Sequence, residues 1–143
     1  MRKLDLSELA RLDRIIGFTI PRNESFYVCS HDAVWKVAIG IVPSFEVTEH
    51  RPYRFAEQSG DFLGLVFNGL VANSALMCVG ESQISYDFDP KKEFVTLNYK
   101  VGSRSGQIEF ETLSEDWFSA SLSDDGRHLV LAEPYDIAVY EVG

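Results

Sequence analysis

The sequence predicts a mainly β protein, an antiparallel meander that curls into a sandwich, a barrel or a blade-like sheet pair, with one short N-terminal helix. From Ser25 onward, apolar and polar residues alternate with the period of two that is typical of half-buried strands. Turn sequences separate these segments, among them Asn68-Gly69 and Asp124-Asp125-Gly126. Helical spacing of apolar residues is found mainly before Phe18.

The length of 143 residues predicts one domain over residues 1–143, with a helix at 5–16 and strands over 25–143. A chain of this size buries roughly 68% of its unfolded surface, which is enough for a core without disulfides. The 10 glycines, 5 prolines and 2 cysteines exclude collagen-like, disordered and disulfide-scaffold classes.

A capping-box-like pair predicts where the N-terminal helix begins, because Asp5 can accept from the backbone near Glu8 while Glu8 reaches back. Leucines and isoleucines then recur at helical spacing, at Leu6, Leu9, Leu12, Ile15 and Ile16. Gly17 is a typical helix stop. We expect about three turns whose apolar stripe covers the domain's own sheet.

Two middle segments carry mixed signals. Residues 62–80 include no charge, yet Asn68-Gly69 favours a hairpin turn over a membrane-spanning helix. Two prolines interrupt residues 39–59, where Phe45, Val47, Tyr53 and Phe55 indicate short strands at an edge.

A hairpin and a meander account for the C-terminal half. In the hairpin, residues 94–101 alternate in phase with Ile108 and Phe110 of the next strand, so Glu109 and Glu111 point away from the core. The meander runs through Phe118, Ala120 and Leu122, the Asp-Asp-Gly turn, the run Leu129–Ala132 and a last strand at 137–142. Its central run is apolar without alternation.

One stretch of the meander carries a family resemblance. It reads Trp117-Phe-Ser-Ala-Ser-Leu-Ser-Asp-Asp-Gly-Arg-His-Leu-Val-Leu-Ala, followed by Asp136-Ile-Ala-Val-Tyr-Glu-Val. The order of alternating strand, Asp-Gly-Arg turn, apolar strand, polar turn and final strand resembles a blade of the WD-repeat β-propellers. Tyr140-Glu141 stand where that family has its Trp-Asp pair. The resemblance implies a blade-like sheet over Trp117–Val142, since a ring of at least four blades needs a longer chain.

The charge balance favours a basic partner. With 13 basic and 22 acidic residues, the formal net charge is -9. Such a field repels phosphate backbones and anionic lipid, so we expect neither nucleic-acid binding nor polybasic membrane attachment.

An acidic stretch is the candidate partner-binding surface, because no basic residue occurs between Arg104 and Arg127. Trp117 is out of phase with the apolar residues that follow it, which places it on the acidic face as an aromatic anchor. The alternative is a solvated face with Trp117 tucked under a neighbouring strand. The predicted surface consists of Glu109, Glu111, Glu115, Asp116, Trp117, Asp124 and Asp125.

The cysteines and histidines raise the question of a zinc site or a Cys/His nucleophile. They are Cys29, His31, His50, Cys78 and His128. A structural zinc site needs four ligands with paired short spacings, and only one such pair is present. Both cysteines lie in apolar strand runs, where a thiol is inert. We therefore expect no metal, no cofactor and no catalytic residue.

Two functional classes stay open. The first is a non-catalytic cytoplasmic protein that binds a basic protein, such as a bacterial immunity or antitoxin-like inhibitor of a basic toxin. The second is a small-molecule or carbohydrate-binding β domain, including an enzymatic one, whose cavity is lined by some of the 6 Tyr, 10 Phe and 2 Trp. A homo-oligomer is compatible with either class.

Overall fold

The structure is a computed structural model that describes residues 1–7, 12, 14–66, 74–112 and 116–142. It is mainly β with one short helix, so the predicted fold class is confirmed. In chain order the elements are β1 (Arg2–Lys3), β2 (Ile15–Thr19), β3 (Ser25–Ser30), β4 (Val34–Ala38), β5 (Ser44–Glu49), α1 (Pro52–Gln58), β6 (Phe62–Gly64), β7 (Cys78–Val79), β8 (Ser82–Tyr86), β9 (Phe94–Val101), β10 (Arg104–Glu111), β11 (Ser119–Leu122), β12 (His128–Glu133) and β13 (Asp136–Glu141).

These strands form three antiparallel sheets. The N-terminal sheet has the order β5-β4-β3-β2-β6, and the central sheet has the order β1-β13-β12-β11. The third, which we call the β7–β10 sheet, has the order β10-β9-β8-β7. The predicted C-terminal meander corresponds to β11, β12 and β13 of the central sheet.

The central sheet lies between the other two and is buried on both faces. Val130 and Ala132 of β12 pack into a core shared with the N-terminal sheet. Leu129 and Leu131 point to the opposite side and pack into a core shared with the β7–β10 sheet. Every residue of β12 is buried, which explains why this strand is continuously apolar over Leu129–Ala132 rather than alternating.

The helix α1 covers the outer face of the N-terminal sheet. Ala56 is buried in a third, smaller core with Cys29, Val34 and Phe62. Pro52 occupies the first turn of α1, where a missing N–H costs little. The molecule is therefore a stack in the order α1, N-terminal sheet, central sheet and β7–β10 sheet.

The predicted helix at 5–16 is wrong at its C-terminal end, because Ile15 and Ile16 belong to β2. All five residues of β2 are buried, and apolar residues at helical spacing also fit a strand buried on both faces. Gly17 does not end a helix but allows close approach, since a Cβ there would lie 2.3 Å from the Leu63 carbonyl oxygen. Residues 8–11 and 13 lie outside the described part of the chain.

The prediction of edge strands is confirmed for Phe45 and Val47, which lie on β5 at the edge of the N-terminal sheet. It is wrong for Tyr53 and Phe55, which lie on the helix α1. The predicted Asn68-Gly69 turn lies outside the described residues. Within the described ranges, no helix has the length and apolar character needed to cross a membrane.

Candidate functional site

The structure distributes the predicted acidic surface over separate places. Glu109 and Glu111 lie on β10, at the edge of the β7–β10 sheet. Asp116 precedes β11, whereas Asp124 and Asp125 lie in the turn at the other end of that strand. Glu115 falls outside the described residues. The acidic residues near β11 therefore do not extend the face that carries Glu109 and Glu111.

Trp117 is not an exposed anchor. Its side chain is only 7% exposed and packs into the core between the N-terminal and central sheets. Phe118 points to the opposite core, so the predicted difference in phase is correct while the predicted exposure is wrong. The reason is that the second face of the central sheet is covered by another sheet rather than by water.

Two of the aspartates have partners within the chain. The Arg14 guanidinium forms an ion pair with the Asp116 carboxylate. Asp124 donates its backbone N–H to the Pro21 carbonyl at 3.0 Å, and its carboxylate lies 4.0 Å from Arg22 Nη1. Both residues link the central sheet to the segments on either side of β2.

Asp125 orders the turn between β11 and β12. Its carboxylate accepts hydrogen bonds from the Ser123 hydroxyl at 2.6 Å and from the Arg127 backbone N–H at 3.0 Å. Burial opposes ionisation, but these hydrogen bonds and the nearby His128 and Arg127 outweigh it and hold the pKa of Asp125 below its ordinary value. We assign Asp125 a structural role in this turn.

Glu109 and Glu111 are available for an intermolecular contact. Both are exposed, and no ion pair or side-chain hydrogen bond joins either of them to another described residue. They alternate with the buried Ile108 and Phe110 along β10. The predicted outward phase of the two glutamates is confirmed.

Phe94 lies beside these glutamates and was missed in the sequence. It is the cross-strand neighbour of Glu111 and is 42% exposed. Its exposure could have been predicted from the alternation along β9. Val95 and Leu97 are buried, so Phe94 shares the outward face with Thr96. The exposed aromatic residue on this face is therefore Phe94 rather than Trp117.

A recess adjoins Phe94 on the same face. It has a volume of about 330 Å³, and its lining includes Asp87, Thr96 and Asn98. The Gln107 amide donates to the Asn98 side-chain oxygen at 2.8 Å across the hairpin, which orders the polar surface beside the recess.

The strand β10 pairs with β9 along one side. Its other side is an open edge, since no described strand pairs with it. Opposed residues in an antiparallel ladder alternate between pairs that exchange two hydrogen bonds and pairs that exchange none. Thr112 donates its N–H to the Glu93 carbonyl at 2.9 Å, which makes this a bonded pair. Since bonded and non-bonded pairs alternate from Thr112 backward along β10, Glu111 and Glu109 belong to non-bonded pairs. Their backbone N–H and C=O groups therefore point away from β9, toward the open edge.

Charged side chains of both signs lie along this face. Glu109, Glu111 and Asp87 lie toward the end where β10 terminates. Lys92, which lines the recess, lies at the same end, and Lys100 lies at the other end, beside the Gly102-Ser103 turn. We define the acidic edge as Glu109, Glu111 and the open backbone of β10 between Gln107 and Glu111. Phe94 is its aromatic neighbour.

The cysteines and histidines are dispersed. Cys29 is fully buried, whereas Cys78 is exposed on the two-residue strand β7, so the apolar surroundings expected for both thiols are found for Cys29 and not for Cys78. His31 packs edge-on against Tyr53, and His128 is buried opposite Glu141. Within the described ranges, no three His, Cys, Asp or Glu side chains are arranged to hold a metal ion.

Comparisons with known proteins give no relative: no family, no curated protein and no solved structure matches this chain. The resemblance of Trp117–Val142 to a WD-repeat blade stays a prediction.

Proposed function

We propose that the chain is a non-catalytic protein-binding domain that recognises a basic partner at the acidic edge. The observation that carries this proposal is the coincidence, at Glu109 and Glu111, of two features: carboxylates that have no partner among the described residues, and a strand backbone that no described strand pairs with. A partner strand added to β10 would gain main-chain hydrogen bonds, and its alternate side chains would lie beside the two glutamates.

Charge favours a basic strand. Lysine or arginine opposite Glu109 and Glu111 would form cross-strand ion pairs, while acidic side chains there would repel. The net charge of -9 adds long-range attraction, which raises the association rate for a basic protein. The half-exposed ring of Phe94 would add an apolar contact with the same partner.

The same carboxylates disfavour self-association through β10. Two copies paired antiparallel around Glu109 would bring like charges opposite one another. An acidic residue on an exposed strand edge also protects against unspecific pairing. The acidic edge is therefore better suited to a different, basic protein than to a second copy of this chain.

We extend the proposal to the class of partner. A nuclease toxin has to be basic to hold nucleic acid, and an acidic inhibitor of one domain is steered onto it rapidly. An immunity or antitoxin-like role fits the size and charge of this chain. We place this role in the cytoplasm, where the free thiols Cys29 and Cys78 would stay reduced.

Titration with a defined peptide tests this function. The probe has eight residues with lysine at alternate positions and threonine between them, and a matched peptide carries glutamate in place of lysine. We expect the lysine peptide to bind and to slow amide hydrogen exchange at Glu109 and Glu111, because their N–H groups become hydrogen-bonded. The glutamate peptide should not bind.

The matched control places the same charge reversal on a different edge strand, β5 of the N-terminal sheet. Glu109→Lys should weaken lysine-peptide binding, whereas Glu46→Lys on β5 introduces the same charge change on another sheet and should leave it nearly intact. Equal weakening by both variants would show that net charge alone drives binding. In that case the acidic edge would not be the binding site.

A further inference from the structure

A cleft opens on the opposite end of the stack, between α1 and the hairpin of β2 and β3. Its volume is about 360 Å³, within the range of small-ligand sites. Nothing in the proposed protein-binding function uses it. We call it the α1 cleft; its lining includes Thr19, Arg22, Tyr27, Phe55, Gln58 and Asp61.

Two aromatic rings form the apolar part of the α1 cleft. Tyr27 of β3 and Phe55 of α1 are both half-buried, with ring centroids 5.0 Å apart and planes inclined at 53°. The tilt leaves ring surface facing the cleft from two elements rather than from one. Aromatic surface of this kind binds flat apolar faces with little loss of side-chain entropy.

A preorganised polar group faces these rings. The Asp61 carboxylate accepts hydrogen bonds from Arg22 Nε at 3.2 Å and from the Ser59 hydroxyl at 3.0 Å. Ile20 donates its backbone N–H to the Asp61 carbonyl at 3.2 Å, which fixes this loop to the end of β2. Arg22 and Asp61 neutralise each other, so the polar side of the cleft offers both donors and acceptors without a large net charge.

Gln58 completes the polar side. It is exposed on the last turn of α1, and no described residue forms a hydrogen bond with its side chain. Its carboxamide adds two donors and one acceptor oxygen. A planar carboxamide can form hydrogen bonds with two neighbouring hydroxyl groups at once.

We propose that the α1 cleft binds a carbohydrate. An uncharged sugar ring presents an apolar C–H face to Tyr27 and Phe55, and its hydroxyls both donate and accept, as the Asp61, Arg22 and Gln58 side chains require. A purely apolar ligand would displace water from the Gln58 carboxamide without replacing its hydrogen bonds, which is costly. An anion would face Asp61 and the Asp124 carboxylate that lies 4.0 Å from Arg22.

The test uses saturation-transfer NMR and isothermal titration on the full chain. The probes are glucose, galactose, mannose and N-acetylglucosamine, each as the free monosaccharide and as its unbranched tetrasaccharide. Concentrations of about 10 mM detect affinities in the millimolar range. Preference for a monosaccharide identifies a free sugar as the ligand, and preference for a tetrasaccharide identifies the end of a glycan chain.

Variants locate the binding in the cleft. Gln58→Ala and Asp61→Asn should each weaken binding about five- to tenfold through the loss of a hydrogen bond. Arg54→Ala, an exposed position on the same helix outside the lining, should leave it unchanged. The proposal is overturned if none of these sugars transfers saturation, or if the two cleft variants bind as the wild type does. Because β10 lies in the farthest sheet, either result leaves the acidic edge untouched.

Discussion

Trp117 and Phe118 are consecutive in the chain, yet their side chains belong to two different hydrophobic cores on opposite faces of the central sheet. Trp117 meets residues of the N-terminal sheet, and Phe118 meets the aromatic rings of Tyr86 and Phe110. The pair shows that the central sheet has no solvated face at this point. A binding role for Trp117 is thereby replaced by a structural one.

Trp117→Ala should destabilise the fold by about 3–5 kcal/mol, because it empties a large buried volume. Phe94→Ala is the matched comparison, since it removes an aromatic ring that is 42% exposed, and it should change stability by only about 0.5 kcal/mol. Urea unfolding followed by tyrosine fluorescence and circular dichroism measures both variants. A small effect of Trp117→Ala would contradict the placement of this side chain in the core.

Gly17→Ala should also destabilise, for a steric reason. A Cβ at this position would lie 2.4 Å from the Phe62 ring and 2.3 Å from the Leu63 carbonyl, so β2 and β6 would have to separate. Overpacking of this kind costs typically about 1–3 kcal/mol. Gly60→Ala is the control, because a Cβ there meets nothing within 4 Å and should leave the midpoint of urea unfolding almost unchanged.

The two thiols should differ sharply in reactivity. Cys78 is exposed, whereas Cys29 is fully buried and burial raises the pKa of its thiol to about 12. A thiol-specific reagent at pH 8 should therefore modify one cysteine per native chain and both only after denaturation. Modification of Cys29 in the native protein at a rate similar to Cys78 would contradict this burial.

The raised pKa of Cys29 also predicts a loss of stability in alkali. The unfolded chain releases this proton near pH 9.0 and the folded chain only near pH 12, so the stabilising contribution is complete below pH 9 and disappears as the pH rises between these values. The full difference corresponds to about 4 kcal/mol. Cys29→Ala should unfold with a weaker pH dependence than the wild type over this interval, which denaturant titrations at several pH values would measure.

The hairpin of β9 and β10 shows what the sequence was able to predict. One of its faces is buried and the other is solvated, so alternation alone determined that Val95 and Phe110 point inward and that Glu109 points outward. The register was not part of this prediction. In the structure the turn consists of Gly102 and Ser103 alone and places Val101 opposite Arg104, so that Arg104–Gly106 belong to β10.

Strands buried on both faces were the main source of error. Ile15 and Ile16 of β2 enter different cores, a pattern that a helix with apolar residues at the same spacing also produces. Trp117 is buried because the N-terminal sheet, whose residues are far away in the chain, covers this face of the central sheet. The α1 cleft likewise could not be predicted from the sequence, because Tyr27, Phe55 and Asp61 are brought together only by packing between elements.

The last prediction distinguishes two contributions to peptide binding at the acidic edge, that of the strand backbone and that of the charged side chains. The Gln107 N–H points to the open edge by the same alternation as Glu109, so Gln107→Pro removes an edge donor without breaking a backbone bond to β9. The substitution also removes the side-chain hydrogen bond from Gln107 to Asn98, and Gln107→Ala, which loses the same bond but keeps the backbone N–H, controls for this loss. Gln107→Pro should reduce binding of the lysine peptide through faster dissociation. Glu109→Lys should act on association, because exposed charges mainly set the encounter rate.

Salt provides the second measurement on these variants. Association of the wild type should slow as the salt concentration rises past about 0.15 M, where charges are screened over about 8 Å, while dissociation changes less. Gln107→Pro should keep this salt dependence, and Glu109→Lys should lose much of it. If Gln107→Pro binds as tightly as the wild type, recognition uses the glutamate side chains without strand addition. If both variants bind normally, the glutamates of β10 serve to keep the strand edge free of partners, and the acidic edge has no role in binding.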